Sequence, residues 1–301
     1  MERAGAGGGA KGPRGDSNYL LGAGLVVAAV GFIAVSDMVA KLLSTRYGTA
    51  EIVLARALVG GALLGGAVAL RAGAAGGSAP RGLGRPALQL MRGAAATAAV
   101  GLFFWGLAAA PFANAVAVSA TAPLFMVLLG RLVLSEPIRP VFWPSLALGA
   151  CGVACIVRPD LAAGAPTPYL AILGSSVCYA AVSILTRMMS EDASAMSTAA
   201  VTYGVTVVAA GAAVAVLGSA PPAAADAPLF LALGAAGALG MVAYAKAYAF
   251  AGVANLAPWD NMVFPWALVL GAAVFADIPD PLALLGGALI MASGLLVSWR
   301  R

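Results

Sequence analysis

The chain has 301 residues and a formal net charge of +5; 62% of its residues are hydrophobic and only 10% are charged. Soluble domains are about a quarter charged and under half apolar, so this composition excludes a soluble protein and predicts an all-α integral membrane protein. The Lys and Arg residues lie mostly in tails and loops, where they set membrane orientation and do not indicate nucleic-acid binding. There is no histidine, and the three cysteines lie in apolar runs, so we expect no metal and no cofactor.

Residues 1–18 are basic and Gly-rich, which predicts a disordered cytoplasmic tail. A membrane-spanning helix needs about 20 apolar residues, and ten such runs follow the tail. Turn-forming Gly and Pro residues separate these runs. The predicted transmembrane helices cover 19–43, 50–70, 87–108, 112–133, 141–157, 168–188, 198–218, 228–250, 254–275 and 281–299.

The two halves of the chain resemble each other. A shift of 141 residues aligns Asn114 with Asn255, Gly130 with Gly271, Glu136 with Asp277, and Pro140 with Pro281. The predicted organisation is therefore a five-helix repeat at 19–157, an external linker at 158–167 and a second five-helix repeat at 168–299. Because each repeat has an odd number of spans, the second is inverted in the membrane. Inverted repeats are typical of secondary transporters that work by alternating access.

Charge predicts the orientation. If the N-terminus is inside, most Lys and Arg residues outside the helices face the cytoplasm, and only Lys41, Arg46 and Arg158 face outward. Loops rich in Lys and Arg stay on the cytoplasmic side. We therefore expect both termini in the cytoplasm and a multi-pass location in a bacterial inner membrane.

Two stretches carry a family resemblance: PLFMVLLGRLVLSEPIRP at 123–140 and PWALVLGAAVFADIPDPLALLGGALIMASGLLV at 265–297. They resemble the two EamA-type repeats of the drug/metabolite transporter superfamily. The resemblance implies ten helices, a central substrate cavity and transport of amino acids, vitamins, nucleotide-like metabolites or drugs, inward or outward. The segment 36–56 is similar to the branch that takes up riboflavin or S-adenosylmethionine.

The expected function is thus secondary transport of a small organic metabolite, such as an amino acid, a vitamin or a nucleoside-like compound. The alternatives are an efflux pump of the same fold, a non-transporting membrane protein or an enzyme. An enzyme is disfavoured because no Ser or Cys lies beside a base and no metal-ligand cluster is present. The expected partners are a small-molecule substrate and membrane lipids. The Gly61 and Gly65 pair favours close helix packing, within one chain or in a homodimer.

Prolines predict the substrate site. Pro123 interrupts the fourth predicted helix, and Pro258 and Pro265 interrupt the ninth. Proline leaves a backbone carbonyl without its donor, which in a membrane requires protein or a watery cavity. Matched interruptions in two repeats point to the binding site. The predicted substrate-binding residues near them are Asn114, Ser119, Thr121, Trp105, Asn255, Trp259, Asp260, Asn261, Lys246 and Tyr244. Alternatively, the amide and hydroxyl groups only bond neighbouring helices.

Charged groups within helices need a partner or a role. Asp37 and Lys41 are spaced to share one helix face, so they form either a salt bridge or a coupling or gating site. Arg56 is expected to face the cavity, and Pro123 and Pro265 complete the predicted coupling or gating set. Lys246 either pairs with Asp260 or extends to the cytoplasmic interface.

Overall fold

The computed structural model describes residues 13–75, 85–157, 166–189, 195–218, 222–250 and 256–299, and these ranges contain helices and turns but no strand. The helices are α1 (Pro13–Leu43), α2 (Thr49–Ala75), α3 (Pro86–Ala109), α4 (Phe112–Ser119), α5 (Ala122–Leu134), α6 (Phe142–Val157), α7 (Thr167–Met188), α8 (Ala195–Leu217), α9 (Ala227–Phe250), α10 (Val263–Phe275) and α11 (Pro281–Trp299). Two short 3₁₀ helices, Ala224–Asp226 and Ala257–Met262, precede α9 and α10.

The predicted all-α membrane fold is confirmed. Among the described residues, seven helical segments are long and apolar enough to cross a membrane, and three shorter apolar helices accompany them. One boundary differs from the prediction: α1 begins at Pro13, inside the segment assigned to the tail. Residues 1–12 of that tail and residues 158–165 of the predicted linker lie outside the described residues.

The fourth span is broken in two. Helix α4 ends at Ser119, and α5 begins at Ala122 with Pro123 in its first turn. Proline has no N–H, so the Ser119 carbonyl loses its helical donor. Ser176 of α7 donates a hydrogen bond to this carbonyl at 3.3 Å, and a protein hydroxyl thereby satisfies the group that the proline leaves open.

The ninth span is also irregular. It begins with the 3₁₀ helix Ala257–Met262 and becomes α-helical only at Val263. Trp259, Asp260 and Asn261 all lie in the 3₁₀ segment. Both spans that carry the matched prolines therefore depart from a continuous α-helix near their polar residues.

The same local geometry ends the corresponding helices of the two halves. Ser135 after α5 and Ala276 after α10 both adopt the left-handed conformation, with φ of 55° and 51°. The next residue donates its N–H to a glycine carbonyl in each case, Glu136 to Gly130 at 3.3 Å and Asp277 to Gly271 at 3.1 Å. The 141-residue shift found in the sequence thus relates two equivalent helix ends.

Helices of one half pack mainly against helices of the other. Helix α1 lies against α9, and α3 lies against α7. These two pairs are equivalent, because α1 and α3 are the first and third spans of the first half, and α7 and α9 are the first and third spans of the second. In the same way α2 contacts α9, and α3 contacts α8.

The final helices of the two halves, α6 and α11, cross at two glycines. A methyl group at Gly152 would lie 2.6 Å from the Gly286 carbonyl oxygen, and one at Gly286 equally close to that of Gly152.

Candidate functional site

A cavity of about 550 Å³ lies between α2, α3, α8, α9 and the last turn of α7. Its volume is within the range of about 300 to 1,000 Å³ that small-molecule sites occupy. Both halves of the chain contribute walls. The polar lining residues are Arg56, Arg92, Thr186, Thr198, Thr202, Tyr203 and Thr206. The cavity reaches the protein surface at Thr186, whose side chain is exposed.

Arg92 of α3 is held in the cavity wall by two threonines of the second half. Its Nε donates to Thr186 Oγ1 and its Nη1 to Thr202 Oγ1, both at 2.6 Å. Each threonine hydroxyl in turn donates to the carbonyl one turn earlier in its own helix. Each threonine hydroxyl therefore donates its proton to the backbone and accepts from Arg92, and the two threonines together orient the guanidinium. The N–H groups of Arg92 that bond neither threonine can donate to a ligand.

Threonines form a polar row along α8. Thr198, Thr202 and Thr206 recur at every fourth position, which places them on one helix face. Two further contacts tie this row to α3: Gln89 Nε2 donates to Thr198 Oγ1 at 3.1 Å, and the hydroxyls of Thr97 and Thr206 lie 2.8 Å apart. Neither Arg92 nor this row was predicted from the sequence. The four-residue spacing of the threonines in an otherwise apolar helix is the pattern that indicates a polar face there.

Arg56 of α2 also lines the cavity, and its partner is Asp37. Its Nη1 is 3.9 Å from Asp37 Oδ1, and its guanidinium carbon lies 5.2 Å from the centre of the Phe104 ring. The alternative of an Asp37–Lys41 salt bridge is not formed in the described part of the chain. Lys41 Nζ instead donates to the Ala110 carbonyl and lies 5.3 Å from the centre of the Phe275 ring.

The opposite end of the helix bundle is closed by contacts between the two halves. This closed end comprises residues 43–49, 109–112, 222–226 and 275–281. Asp277 Oδ2 accepts a hydrogen bond from the Phe112 N–H at 2.9 Å. Asp226 accepts hydrogen bonds from Arg46 and from the Tyr47 hydroxyl, each at 2.8 Å. Arg92 and Ala110 lie near opposite ends of α3, so the closed end is remote from the Arg92 side of the cavity.

The structure gives Asp260 a hydroxyl partner. The Tyr244 hydroxyl donates to Asp260 Oδ1 at 2.9 Å, and Trp259 Nε1 donates to the Tyr19 hydroxyl at 3.1 Å. Lys246 has an exposed side chain and makes no ion pair with Asp260 among the described contacts. Of the predicted substrate-binding residues, Tyr244, Trp259 and Asp260 thus come together.

The other predicted residues are distributed differently. Ser119 and Thr121 donate to the Val116 and Val118 carbonyls of α4, and Asn114 and Asn261 are half-buried. Trp105 is 51% exposed. It is two and a half turns from the cavity-lining Ala96, on the opposite face of α3, so it does not line this cavity. Asn255 lies outside the described residues.

Comparisons with known proteins agree with this architecture. Residues 20–158 match the EamA-like transporter family. The riboflavin transporter of Rhizobium johnstonii is 31% identical over 203 residues, 66% of this chain and 67% of that protein. The riboflavin transporter of Brucella anthropi is 28% identical over 214 residues, 69% of this chain and 75% of that protein.

A third relative is the probable terminal-alkyne amino-acid exporter of Streptantibioticus cattleyicolor. It is 28% identical over 258 residues, 84% of this chain and 85% of the exporter. One solved crystal structure has the same fold, with a TM-score of 0.59 and 19% identity. That alignment covers 93% of this chain and 96% of the solved one.

The helical fold and the polar cavity between the two halves define a multi-pass membrane transporter for small metabolites. The chain belongs to the EamA-like transporter family, part of the drug/metabolite transporter superfamily. The predicted membership of this superfamily is therefore confirmed, with the family match covering the first half of the chain.

Proposed function

We propose that the protein carries a flat, hydroxyl-bearing metabolite of the riboflavin type across a bacterial inner membrane, and that the cavity at Arg92 is its binding site. The observation that carries the proposal is the cavity itself. It lies between helices of both halves, is rich in hydroxyl and guanidinium groups, and is separated by most of the length of α3 from the closed end.

The lining chemistry suits such a substrate. Thr202 and Thr206 donate their hydroxyl protons to carbonyls of their own helix, and their oxygens can accept hydrogen bonds from the hydroxyls of a polyol chain. The planar guanidinium of Arg92 offers parallel N–H donors to the carbonyl edge of a heterocycle. Met189 and Met241 also line the cavity, and thioether sulfur makes favourable contacts with aromatic rings. The two riboflavin transporters among the relatives support the same assignment.

The proposed mechanism is alternating access by two inverted repeats, with both termini in the cytoplasm. Three observations support it: the equivalent helix ends at Ser135 and Ala276, the equivalence of the α1–α9 and α3–α7 contacts, and the irregular fourth and ninth spans. Breaking the contacts of the closed end while closing the Arg92 side would expose the cavity to the other face of the membrane. Transporters with repeats of this kind move one repeat against the other around a fixed site.

Uptake of labelled riboflavin into proteoliposomes tests the proposal. Wild-type protein should give saturable uptake, and Arg92→Gln should raise the KM about tenfold through loss of a charged hydrogen-bond donor. Arg131→Gln is the matched control, because Arg131 is exposed on α5 and outside the cavity lining. Riboflavin uptake no faster than in empty liposomes would overturn the riboflavin assignment.

The exporter of Streptantibioticus cattleyicolor supports a second candidate substrate, since it matches more of this chain than the riboflavin transporters do. The same liposomes should therefore be loaded with labelled amino acids, including one with a terminal alkyne. Counterflow of an amino acid without counterflow of riboflavin would favour this second candidate.

A further inference from the structure

Tyr179 lies on the cavity-facing side of α7. Positions 179 and 186 are about two helical turns apart and therefore share one face. Thr186 lines the cavity and accepts a hydrogen bond from Arg92. The exposed apolar residues Leu170 and Val177 lie on the opposite face of the same helix, which is the face available to lipid. The Tyr179 side chain is 54% exposed, although it is on the helix face of Thr186 and not on the face of Leu170 and Val177.

Two charged groups from other elements act electrostatically on Tyr179. Tyr179 interacts electrostatically with Arg92 of α3 and with Asp260 of the ninth span. Asp260 is held in place by the Tyr244 hydroxyl. The Tyr179 side chain is therefore within electrostatic range of a guanidinium that lines the cavity and of a carboxylate at the start of the ninth span.

We propose that Tyr179 is a specificity-determining residue whose ring stacks on the aromatic part of the substrate. The proposal rests on the proposed function and narrows the substrate class. The ligand has a flat ring over Tyr179, hydrogen-bond acceptors toward Arg92, and a hydroxyl or amino donor toward Asp260. Offset stacking of two rings adds to the free energy of binding beyond the buried area.

Flavin fluorescence provides a specific measurement, because a stacked tyrosine ring quenches an excited flavin by electron transfer. Riboflavin titrated into the purified wild-type protein should bind with quenching of its emission. Tyr179→Leu should weaken binding about fivefold to tenfold, through loss of stacking, and should remove most of the quenching, with the remainder coming from Tyr203 in the cavity lining. Tyr179→Phe should keep the affinity within about threefold but lose most of the quenching, since phenylalanine is much harder to oxidise.

Val177→Leu, on the lipid-facing side of α7, is the control and should change neither quantity. Thermal unfolding of each variant checks that the protein is folded. Wild-type affinity and quenching in Tyr179→Leu would overturn the proposal. Equal losses of affinity in Tyr179→Phe and Tyr179→Leu would also overturn it, because stacking requires a ring and not the hydroxyl.

A second measurement does not depend on riboflavin. In a background in which Cys151, Cys155 and Cys178 are replaced, Tyr179→Cys should react with a charged, water-soluble thiol reagent, whereas Val177→Cys should not. Equal reactivity, or no reaction at position 179, would overturn the placement of Tyr179 in the cavity. A wild-type protein that binds no flavin would overturn the riboflavin assignment, and the placement would then be decided by this labelling alone.

Discussion

The Asp277 carboxylate accepts a hydrogen bond from the Phe112 N–H at 2.9 Å, so the turn after α10 caps the first turn of α4. The first N–H groups of a helix have no partner within it, and negative charge is favourable there. Asp277 belongs to the second half and Phe112 to the first. This hydrogen bond therefore holds the two halves together at the closed end, beside Lys41 and Phe275.

Replacing Asp277 should weaken that closure. We expect Asp277→Ala to lower the free energy of unfolding by about 1 kcal/mol and to increase the reactivity of a cysteine introduced at Ala113, which is fully buried in α4. Thermal unfolding and thiol labelling measure the two effects. Asp280→Ala is the matched control, since Asp280 caps Ala283 within the same half at 2.7 Å. Equal labelling in both variants would show that Asp277 has no particular role in closure.

Asp37 and Arg56 should be energetically coupled. Asp37 is 7% exposed, so Arg56→Gln leaves a buried carboxylate without its cation, which is destabilising. Asp37→Asn combined with Arg56→Gln should therefore be more stable than the sum of the single changes, with a coupling of about 1 kcal/mol. Unfolding midpoints in detergent complete this double-mutant cycle. Additive effects would mean that the two groups do not interact. Arg46→Gln, which breaks an ion pair whose arginine is 67% exposed, should have a smaller effect, because Asp226 keeps its hydrogen bond from Tyr47.

Asp260 should be needed for accumulation of substrate against a gradient. As the carboxylate at the irregular start of the ninth span, it is poorly solvated and suited to bind a proton or a donor group of the substrate. We expect Asp260→Asn to abolish accumulation while the protein inserts and folds. Tyr244→Phe, which keeps the carboxylate and removes one hydrogen bond, should retain part of it.

Exchange transport at equal pH separates the two roles of Asp260. If the residue couples transport to protons, exchange should survive in Asp260→Asn; if it pairs with the substrate, exchange should fail too. Transport by Asp260→Asn at the wild-type rate, with unchanged pH dependence, would make Asp260 a structural partner only.

The proposed topology can be tested by labelling. Cysteines introduced at Ala75 and Ala163, in a background without the three native cysteines, should react from opposite sides of the membrane, with position 75 cytoplasmic. A membrane-impermeant thiol reagent applied to intact cells and to inverted vesicles measures this. Reaction of both positions from the periplasm would contradict the inverted arrangement of the repeats.

Much of the fold is predictable because the membrane restricts it strongly. Each span must be apolar over about 20 residues and must satisfy its own backbone groups, so the third predicted helix, 87–108, differs from α3 by one residue at each end. The irregularities of the fourth and ninth spans follow from proline chemistry. The start of α1 at Pro13 was missed because a basic, Gly-rich composition predicts disorder and gives no helix signal.

The cavity was less predictable, since its contacts join distant parts of the chain. Arg92 bonds to residues 94 and 110 positions away, and no local pattern records such a pairing. Lys41 has the spacing to pair with Asp37, but its long side chain extends to the Ala110 carbonyl instead. Trp105 illustrates a further ambiguity: an aromatic residue in an apolar helix has the same sequence signature whether it faces a cavity or the surface.

The crossing of α6 and α11 restricts how the two halves can move. Gly152 and Gly286 bring backbone against backbone, and Ile290 and Ile156 fill the space beside the two glycines. A rearrangement that opens the closed end must either pivot about this crossing or separate it entirely. Pairs of spectroscopic labels across the crossing distinguish these two motions: a distance that stays constant during transport indicates a pivot, and a longer distance indicates separation.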